Sequence, residues 1–394
     1  MKLGMLIPEF PTQTHVFFWR EIEALRELGV EVHVISTKRP DEPCPHAFAQ
    51  TAIEQTHYLY PLRKMAMAQS LFRWNGLASC IQYILSLSGN ISRKARVVGY
   101  LLCAMDLARY SRKHGLNHIH VHSCADAAHI AAMARMLNGA PYSLHLHGDL
   151  PVYGTDHPQK SSRATFVAAA ARSMQQQLID LAEVPAERTY TMWMGVDTSH
   201  FHPQPATGKR GESLHMVSVG RLHLCKGHRY TLQALRRLLD RGANIRYTIA
   251  GSGPHQKEIA ASVAEGNFGD RVRRVGSLGE AEVHGLLQSA DVFILSSVGL
   301  GEASPVAVME AMAAGVPVIS SIIGGTPDMI TDGIDGLLVK QEDVEGLEAA
   351  MLRVHHDESL RLRMSDAART RACTQFDYHA TSSKLLVAIQ KTLQ

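Results

Sequence analysis

Two glutamates, Glu302 and Glu310, are separated by seven residues that carry no charge. The apolar pattern predicts a strand over 291–296 and a short helix over 305–314, so the helix begins just beyond the carboxyl end of the strand. A helix start in this position offers backbone N–H groups to an anion. One carboxylate near a helix start is ordinary, because it is mildly stabilising there. This stabilisation does not explain two carboxylates on either side of an uncharged stretch. The segment is therefore the first candidate site.

The limits of this helix are marked by residues with defined conformational preferences. Ser304 is a good N-cap, because its hydroxyl can satisfy an unpaired backbone N–H. Pro305 then falls at the first helical position, where its missing N–H costs nothing. Gly315 suits the C-terminal cap, and Pro317 cannot extend the helix. The sequence therefore predicts that the helix starts directly after the first glutamate and contains the second.

A second candidate site is the loop between a strand that ends at Gly220 and a helix that begins near His228. This loop carries two cations, Arg221 and Lys226. A departing diphosphate builds up negative charge, which fixed cations or a metal must stabilise. Arginine offers a planar fork for phosphate oxygens and lysine a point charge. The sequence has no Asp-x-Asp metal motif, and this agrees with the two cations doing the work of a metal. The alternative interpretation is a pair of solvated loop cations.

Glycine-rich turns follow three further predicted strands. They contain Gly251 and Gly253, Val275 and Gly276, and Gly324 and Gly325. Glycine permits positive φ and a close approach of the backbone to a ligand. The turn at Gly251 does not complete a G-x-G-x-x-G fingerprint, so no nicotinamide cofactor is expected.

Together these segments resemble the large GT4 family of retaining glycosyltransferases, which have the GT-B fold. The matching features are E-x7-E with Ser-Pro at the helix start and Gly-Val-Pro-Val after the helix, and the pattern G-R-x4-K-G over 220–227. The resemblance covers most of 214–340 and extends more loosely over the N-terminal half. The segment 8–15 lacks the Gly-Gly pair of many relatives and is similar to an exopolysaccharide and colanic acid subgroup.

The resemblance implies a role for each matching residue. Glu302 is expected to bond hydroxyls of the donor sugar, and Glu310 the ribose hydroxyls. Arg221 and Lys226 are expected to hold the diphosphate. The backbone of the turn formed by Val275 and Gly276 is expected to contact the nucleobase. The other donor-binding positions that match the family are Gly220, Gly251, Ala303, Ser304, Pro305 and Val306.

Histidines alternate along two predicted strands of the N-terminal half: His118, His120 and His122 on one, His145 and His147 on the next. Alternating residues face the same side of a strand. Their plain interpretation is buried imidazoles with hydrogen-bond partners. The family has a histidine near His122 and near His147, which implies that His147 contacts the donor sugar or reacting centre and that His122 lines the cleft. Asp149 and Thr14 are further candidates on the acceptor side.

Length and composition limit the classes of function. The 394 residues suffice for two domains. A formal charge of +3 is too small to favour nucleic acid. No apolar run reaches the roughly 18–20 residues of a membrane span, and six cysteines without a Cys-x-x-Cys pair favour a reducing compartment. We expect a cytoplasmic protein. The residues 60–115 either pack as amphipathic helices on the first domain or contact an anionic membrane at its inner face.

The elements that position these residues alternate along the chain. Short apolar strands and longer helical patterns follow one another, which indicates parallel sheets in an α/β protein. With the resemblance, this implies GT-B: two facing Rossmann-like β/α/β domains with a central cleft. The polar segment 202–213 is the best linker. We expect an acceptor-binding domain over 1–205 and a nucleotide-sugar-binding domain over 206–377, with the helix over 378–394 packing back on the first domain.

The expected reaction is retaining transfer of a hexosyl group from a UDP-, GDP- or ADP-sugar to a glycan or lipid-linked acceptor in exopolysaccharide or lipopolysaccharide synthesis. No metal or other cofactor is expected. Three alternatives stay open. A metal-dependent hydrolase would use the two histidine sets as ligands, since His-x-His on a strand end suits zinc. A GT-B sugar-nucleotide epimerase and a non-catalytic sugar-nucleotide-binding protein are the other two.

Overall fold

The computed structural model describes residues 1–12, 15–42, 44, 46–61, 74–204, 213–299 and 302–394. These residues form two units. One consists of Met1–Trp193 together with Thr381–Gln394, and the other of Met194–Ala380. Each unit is built on one parallel sheet with helices in the connections between strands.

The first unit contains a seven-stranded sheet. Its strands are β1 (Lys2–Ile7), β2 (Glu31–Ser36), β3 (His57–Tyr58), β4 (His118–Val121), β5 (Tyr142–Leu146), β6 (Val167–Ala169) and β7 (Thr189–Thr191). All neighbours are parallel, in the order β3-β2-β1-β4-β5-β6-β7. The chain order reverses between β1 and β4, and ligands of such sheets bind beyond the carboxyl ends of the strands at that point. His122 and His147 directly follow β4 and β5 at this end of the sheet.

Seven helices of the first unit lie among the described residues. They are Val16–Glu27, Ala49–Gln55, Trp74–Ser86, Ile91–His114, Asp126–Met136, His157–Ser161 and Arg172–Asp180. The longest begins at Asn90, whose side chain accepts a hydrogen bond from the Arg93 N–H, and ends at Gly115 in the left-handed conformation. Both are favoured cap residues at their respective ends.

The second unit contains a six-stranded parallel sheet in the order β10-β9-β8-β11-β12-β13. The strands are β8 (Leu214–Val219), β9 (Ile245–Ala250), β10 (Val272–Gly276), β11 (Val292–Leu295), β12 (Val318–Ser321) and β13 (Gly336–Val339). Its described helices are His228–Asp240, Gln256–Glu265, Glu280–Gln288, Val306–Ala313, Thr326–Met329, Val344–His356 and Glu358–Arg371. The reversal of strand order lies between β8 and β11, as it does between β1 and β4.

A final helix, Tyr378–Lys391, starts in the second unit and returns to the first. Leu385 and Ile389 of this helix are buried in the core of the first unit together with Leu3 and Ile22. The second unit has a separate core that includes Met216, Tyr247 and Met351. Two separate apolar cores mean that each sheet is stabilised by burial of its own side chains.

The start of the second unit differs from the predicted boundary at residue 205. Met194 already belongs to the second unit. The Val196 N–H bonds the Phe376 carbonyl at 2.8 Å, and the Arg369 guanidinium donates to the carbonyls of Thr198 and Phe201. These bonds attach the segment before the predicted linker to the second unit. Most of that linker, residues 205–212, lies outside the described residues.

The helices Trp74–Ser86 and Ile91–His114 contain the described part of the segment expected to be amphipathic. One side packs on the first unit: Cys80 and Leu101 are buried, and the Cys80 thiol lies 3.6 Å from the Met133 carbonyl. Leu85 and Ile91 are instead exposed, at 67% and 87%. Among the described residues, no helix combines the length and apolar character needed to cross a bilayer.

Candidate active site

Lys226 and Glu302 form an ion pair in the second unit. Lys226 closes a single turn, Leu224–Lys226, before Gly227 starts the helix His228–Asp240. Gly227 has φ +66°, and a Cβ at this position would overlap the carbonyl oxygen of Ser296, just beyond β11. A residue other than glycine would push the turn away from the strand end. The glycine therefore lets the lysine reach Glu302, which is far away in the sequence.

The loop that carries Glu302 is held from two sides. Glu302 is 7% exposed, and the Ser297 hydroxyl lies 3.4 Å from its carboxylate. On the other side Gly324, with φ +52°, packs so closely that a Cβ would overlap the Glu302 carbonyl oxygen. The Gly325 N–H donates to the Ala303 carbonyl at 2.7 Å. The loop backbone is thus positioned by the ends of β11 and β12.

The helix after this loop begins one residue later than predicted, at Val306, and ends at Ala313. Pro305 is the N-cap, with an extended ψ of 109°, and the predicted capping by Ser304 is wrong. The Ser304 side chain is buried and its hydroxyl lies 3.8 Å from the Met329 sulfur. Packing of the loop against the turn after β12 turns this side chain inward, away from the helix start. Glu310 lies inside the helix and is half-buried.

The three other donor-binding turns predicted from the sequence meet at the carboxyl ends of β8, β9 and β10. A Cβ on Gly251 would overlap the carbonyl oxygen of Gly220. The Gly251 N–H bonds the Gly276 carbonyl at 2.7 Å, beside the half-buried Val275. The Lys226 side chain lies beside Gly220, because its Cε would be 3.8 Å from a Cβ built on this glycine. The lysine therefore connects the glycine turns with the Glu302 loop.

Arg221, the second predicted cation, follows β8 at this edge and is exposed. Within the part of the chain that the structure describes, no hydrogen bond or ion pair holds its guanidinium. An exposed guanidinium at a strand end offers its fork to an incoming anion at little desolvation cost. The edge thus presents one cation paired with a carboxylate and one open to solvent.

A cavity of about 710 Å³ lies toward the other, amino ends of the strands in the second unit. Arg246, Arg271 and Arg273 line it together with Val275. Lys226 and Glu302 are not among its lining residues, and open α/β sheets bind ligands at the carboxyl ends of strands. The motif residues, rather than this cavity, therefore define the candidate site.

In the first unit His122 and His147 are in contact. The Nδ1 atom of His122 lies 3.1 Å from Nε2 of His147. The backbone N–H of His147 donates to the Tyr153 hydroxyl at 2.9 Å. Asp149 is buried, and its carboxylate accepts a hydrogen bond from the Gln177 amide at 2.9 Å. Thr14, the remaining predicted residue of the acceptor side, lies outside the described residues.

Burial determines the charge of these imidazoles. It lowers the pKa of His147 well below the ordinary value, and nearby His145 and His122 act in the same direction. Burial also lowers the pKa of His145 to about 4 and that of His15 to about 4. His147 is therefore neutral near pH 7 and can exchange hydrogen bonds with a hydroxyl without carrying a positive charge.

Sequence reasoning missed Glu21 and Tyr153, which contact the predicted histidines, and Gln177, which bonds Asp149. The Glu21 carboxylate lies 3.0 Å from Nε2 of His122. A weak signal for Glu21 exists, because it lies three residues after the buried Phe18 and four before the buried Leu25, on the inner face of a helix. Neither Tyr153 nor Gln177 belongs to a pattern that marks it in the sequence.

The sequence of this chain is similar to those of known glycosyltransferases along most of its length. The family model for Glycosyltransferase Family 4 matches residues 15–200, and the model for Glycosyl transferases group 1 matches residues 203–371. The amylovoran biosynthesis glycosyltransferase AmsK of Erwinia amylovora is 27% identical over 99% of this chain and 100% of its own length. The putative colanic acid biosynthesis glycosyltransferase WcaL of Salmonella typhimurium is 26% identical over 99% of this chain and 100% of its own length.

Solved structures share the architecture. A glycosyltransferase from Rickettsia africae matches with a TM-score of 0.76 and 16% identity, covering 100% of this chain and 98% of that one. Anabaena Alr3699/HepE in complex with UDP matches with a TM-score of 0.76 and 16% identity, covering 99% of this chain and 100% of that one. Likenesses at this identity show the fold, and the fold is the GT-B architecture that the sequence predicts.

Proposed function

We propose that this chain, a glycosyltransferase with a family 4 domain in its first unit and a group 1 domain in its second, is a metal-independent retaining hexosyltransferase. Its donor is a nucleotide-diphosphate sugar and its acceptor a glycan or lipid-linked glycan. The observation that carries the proposal is the contact of Lys226 with Glu302 beside the helix Val306–Ala313. The ammonium and the helix start complement the negative diphosphate, and the carboxylate can accept hydrogen bonds from sugar hydroxyls.

The diphosphate is assigned to the cations and to the helix start. When the bond between sugar and phosphate breaks, negative charge develops on the leaving oxygen, and fixed positive groups stabilise it. Arg221 supplies a solvent-exposed fork, Lys226 a point charge, and the loop Ala303–Val306 the start of the helix. These groups take the place that a divalent metal has in other sugar transferases, which supports a metal-independent reaction.

Retention of the anomeric configuration is assigned to attack on the face that the diphosphate leaves, without a covalent intermediate on the protein. Glu302 is engaged by Lys226 and is assigned to donor hydroxyls, and Glu310 lies inside the helix and is assigned to the ribose. We therefore assign no protein nucleophile. The acceptor attacks from the face that the diphosphate leaves, and the leaving phosphate oxygen takes the acceptor proton. The half-buried His147, neutral near pH 7, is assigned a hydrogen bond to the donor sugar.

The acceptor and the cellular setting are proposed from two observations. The relatives of matching length are named for amylovoran and colanic acid biosynthesis. In this chain Leu85 and Ile91 are exposed near the cations Arg93 and Lys94. Apolar and basic side chains together favour the surface of an anionic bilayer. We propose a cytoplasmic enzyme of exopolysaccharide or lipopolysaccharide synthesis that contacts the inner face of the membrane.

Burial argues against the hydrolase alternative. A catalytic metal must hold water or substrate in an open coordination position. His120 and His145 are only 0% and 2% exposed, so a substrate does not reach a metal bound between them. The family assignment likewise gives no support to the epimerase or to a non-catalytic binding protein.

Lys226→Ala tests the proposal. Removing one preorganised charge from the developing anion is expected to lower kcat by about 10²–10³-fold. The assay screens UDP-, GDP- and ADP-sugars, starting with UDP-glucose, with Mg²⁺ or Mn²⁺ added or with EDTA added just before the donor. Transfer is expected at the same rate in both conditions, and NMR of the product is expected to show a retained anomeric configuration.

A matched control is Lys257→Ala, which removes an exposed lysine of the helix Gln256–Glu265 in the same unit. Circular dichroism verifies that both variants are folded. Wild-type rates in Lys226→Ala would remove the lysine from the mechanism. A strict requirement for added Mg²⁺ or Mn²⁺ would contradict the metal-independent reaction.

A further inference from the structure

Three histidines of the first unit converge below the carboxyl end of its sheet. His120, His122 and His145 each place one ring nitrogen within 4.8 Å of one from each of the other two. Their exposed fractions are 0%, 4% and 2%. His120 belongs to β4, His122 directly follows β4, and His145 belongs to the neighbouring β5. We call these three residues the histidine cluster.

Each member of the histidine cluster has one ring nitrogen in a hydrogen bond. Nδ1 of His120 lies 2.7 Å from the Ser143 hydroxyl, Nε2 of His145 lies 3.1 Å from the Met192 carbonyl, and Nδ1 of His122 lies 3.1 Å from His147. The other ring nitrogens are buried and have no hydrogen-bond partner among the described residues. Buried polar atoms of this kind are rare in folded proteins, because each loses its bond to water.

One assignment of the ring protons is consistent with all of these contacts. His145 donates from Nε2 to the Met192 carbonyl, so its Nδ1 carries a lone pair. His120 donates from Nδ1 to Ser143, and His122 donates from Nδ1 to His147, which leaves a lone pair on both Nε2 atoms. Metal-binding histidines have this arrangement, with the distal N–H held by an acceptor that fixes the ring.

Glu21 supplies a carboxylate beside the histidine cluster. Its Oε1 atom lies 3.0 Å from Nε2 of His122, yet the two atoms make no hydrogen bond, and both are buried. A short approach without a hydrogen bond is expected of two atoms that bind the same cation. The Glu21 side chain, 14% exposed, comes from the helix Val16–Glu27 that packs over this end of the sheet.

We propose that His120, His122, His145 and Glu21 bind one divalent transition metal ion, for which Zn²⁺ is the best fit. Three imidazoles and one carboxylate form a ligand set that zinc accepts in tetrahedral sites. Ligand atoms of such a site lie about 3.3 Å apart, so small rotations of the rings complete it. Because all four ligands are protein side chains, the ion is structural and ties the first helix of the chain to β4 and β5.

This ion is distinct from any metal in the transfer reaction. None of the four ligands is a group assigned to the donor: Lys226 and Glu302 belong to the second unit, and His147 of the first unit contacts the ligand His122 but is not itself a ligand. The inference therefore does not depend on the proposed function. Its test measures metal content and stability, so that transfer activity does not enter the result.

The test uses the full chain, produced in medium with Zn²⁺ and also unfolded, stripped with a chelator and refolded with Zn²⁺ or Co²⁺. Refolding is included because a buried site exchanges metal slowly. We expect one Zn²⁺ per chain by mass spectrometry of the elements and a higher Tm than that of the metal-free protein. We also expect the visible spectrum of tetrahedral Co²⁺, and no change in Tm with Mg²⁺.

His120→Asn and His145→Asn are expected to abolish stoichiometric binding, and Glu21→Gln to weaken it. The control His129→Asn replaces another buried histidine of the first unit, bonded to Tyr83 outside the histidine cluster, and should leave binding intact. Ser143→Ala leaves all four ligands in place but removes the hydroxyl that holds His120, which also bonds His118, and it is expected to lower the affinity by about 10- to 100-fold. This variant keeps the test decisive if a histidine variant does not fold.

Two results would overturn the proposal. The first is a wild-type chain without stoichiometric Zn²⁺ after both preparations, which would identify the three residues as core histidines only. The second is full binding in His120→Asn and His145→Asn, which would place the ion on other histidines of the chain.

Discussion

At the scale of single residues, the contact of Lys226 with Glu302 couples the two halves of the donor site. The ammonium is assigned to the diphosphate and the carboxylate to the sugar, and in the structure each neutralises the other. Removing one partner of a partly buried pair leaves the other charge without compensation. The two residues are therefore expected to respond differently when binding of the nucleotide and transfer of the sugar are measured separately.

Glu302→Gln is expected to keep affinity for the free nucleoside diphosphate, because Lys226 remains and loses only a competitor for its charge. Transfer is expected to fall by about 10²-fold or more, since a charged acceptor of sugar hydroxyls has been replaced by a neutral one. Calorimetric titration gives the first quantity and initial rates give the second. A parallel loss of nucleotide affinity would show that Glu302 acts by positioning Lys226 for the diphosphate.

At the scale of elements, glycines set how closely the loops of the second unit approach one another. Gly227 packs on the end of β11, Gly251 on the turn after β8, and Gly324 on the loop that carries Glu302. In each case a Cβ would overlap a backbone oxygen, and backbone atoms do not move aside as the end of a flexible side chain does. The spacing of the candidate site is thus determined by backbone contacts.

Gly324→Ala is expected to displace the Glu302 loop and strongly reduce transfer. The matched control is Gly333→Ala, because Gly333 also has a positive φ, +76°, but no atom lies within 4 Å of the added Cβ. The left-handed conformation alone costs about 1–2 kcal/mol for alanine, so both variants lose stability. Only Gly324→Ala should lose activity in the folded state. Equal rates for the two variants would show that the close approach of Gly324 is not needed.

At the scale of the whole molecule, the last helix returns to the first unit after the second unit is complete. Leu385 and Ile389 are buried with Leu3 and Ile22 of the first unit, although more than 350 residues separate them in the sequence. The apolar core of the first unit therefore requires the C-terminal end of the chain. Its stability depends on a segment that follows the second unit in the sequence.

Ile389→Ala is expected to lower the free energy of unfolding of the first unit by roughly 2–5 kcal/mol, because it removes buried methyl groups and leaves a cavity. The control is Val387→Ala, two residues earlier in the same helix. Val387 is 50% exposed, so this change should lower the free energy of unfolding far less. Scanning calorimetry separates the transition of the first unit from that of the second. If the transition of the first unit were unchanged in Ile389→Ala, the helix Tyr378–Lys391 would not pack as described.

Acid stability is also a property of the whole fold, because histidines are buried in both units. In the second unit burial, assisted by Lys226, lowers the pKa of His228 to about 4. The unfolded chain, with a pKa near 6.5, binds a proton more readily, so stability is fully present above about pH 6.5 and is lost as the pH falls toward 4. Between pH 6.5 and pH 4 the free energy of unfolding should therefore fall less in His228→Asn than in the wild type. The difference is expected to reach up to roughly 3 kcal/mol.

The measurement for His228 is the Tm of the second unit between pH 7 and pH 4. His356→Asn, a change of an exposed histidine in the same unit, serves as the control and should follow the wild type. If His228→Asn and the wild type lose stability in parallel, His228 is not the group that titrates.

Much of the fold could be predicted because its signals are local in the sequence. The apolar runs of β8, β9 and β11 and the turns that follow them lie within a few residues of each other, and alternation of strands with helices indicates parallel sheets. The family resemblance of E-x7-E and of the loop from Gly220 to Gly227 is local in the same sense. By contrast, the predicted capping of the helix start by Ser304 was wrong, because packing against Met329, distant in the sequence, turns the Ser304 side chain inward.

The sequence alone determined the class of this protein: two Rossmann-like sheets, a glycosyltransferase family, and the segments that hold Arg221, Glu302 and Glu310. Only the tertiary structure decided that Lys226 pairs with Glu302, that Glu21 lies beside His122, and that the second unit begins at Met194. The reason is physical. Secondary structure and turns depend on neighbouring residues, whereas ion pairs and domain limits depend on packing between residues distant in the chain.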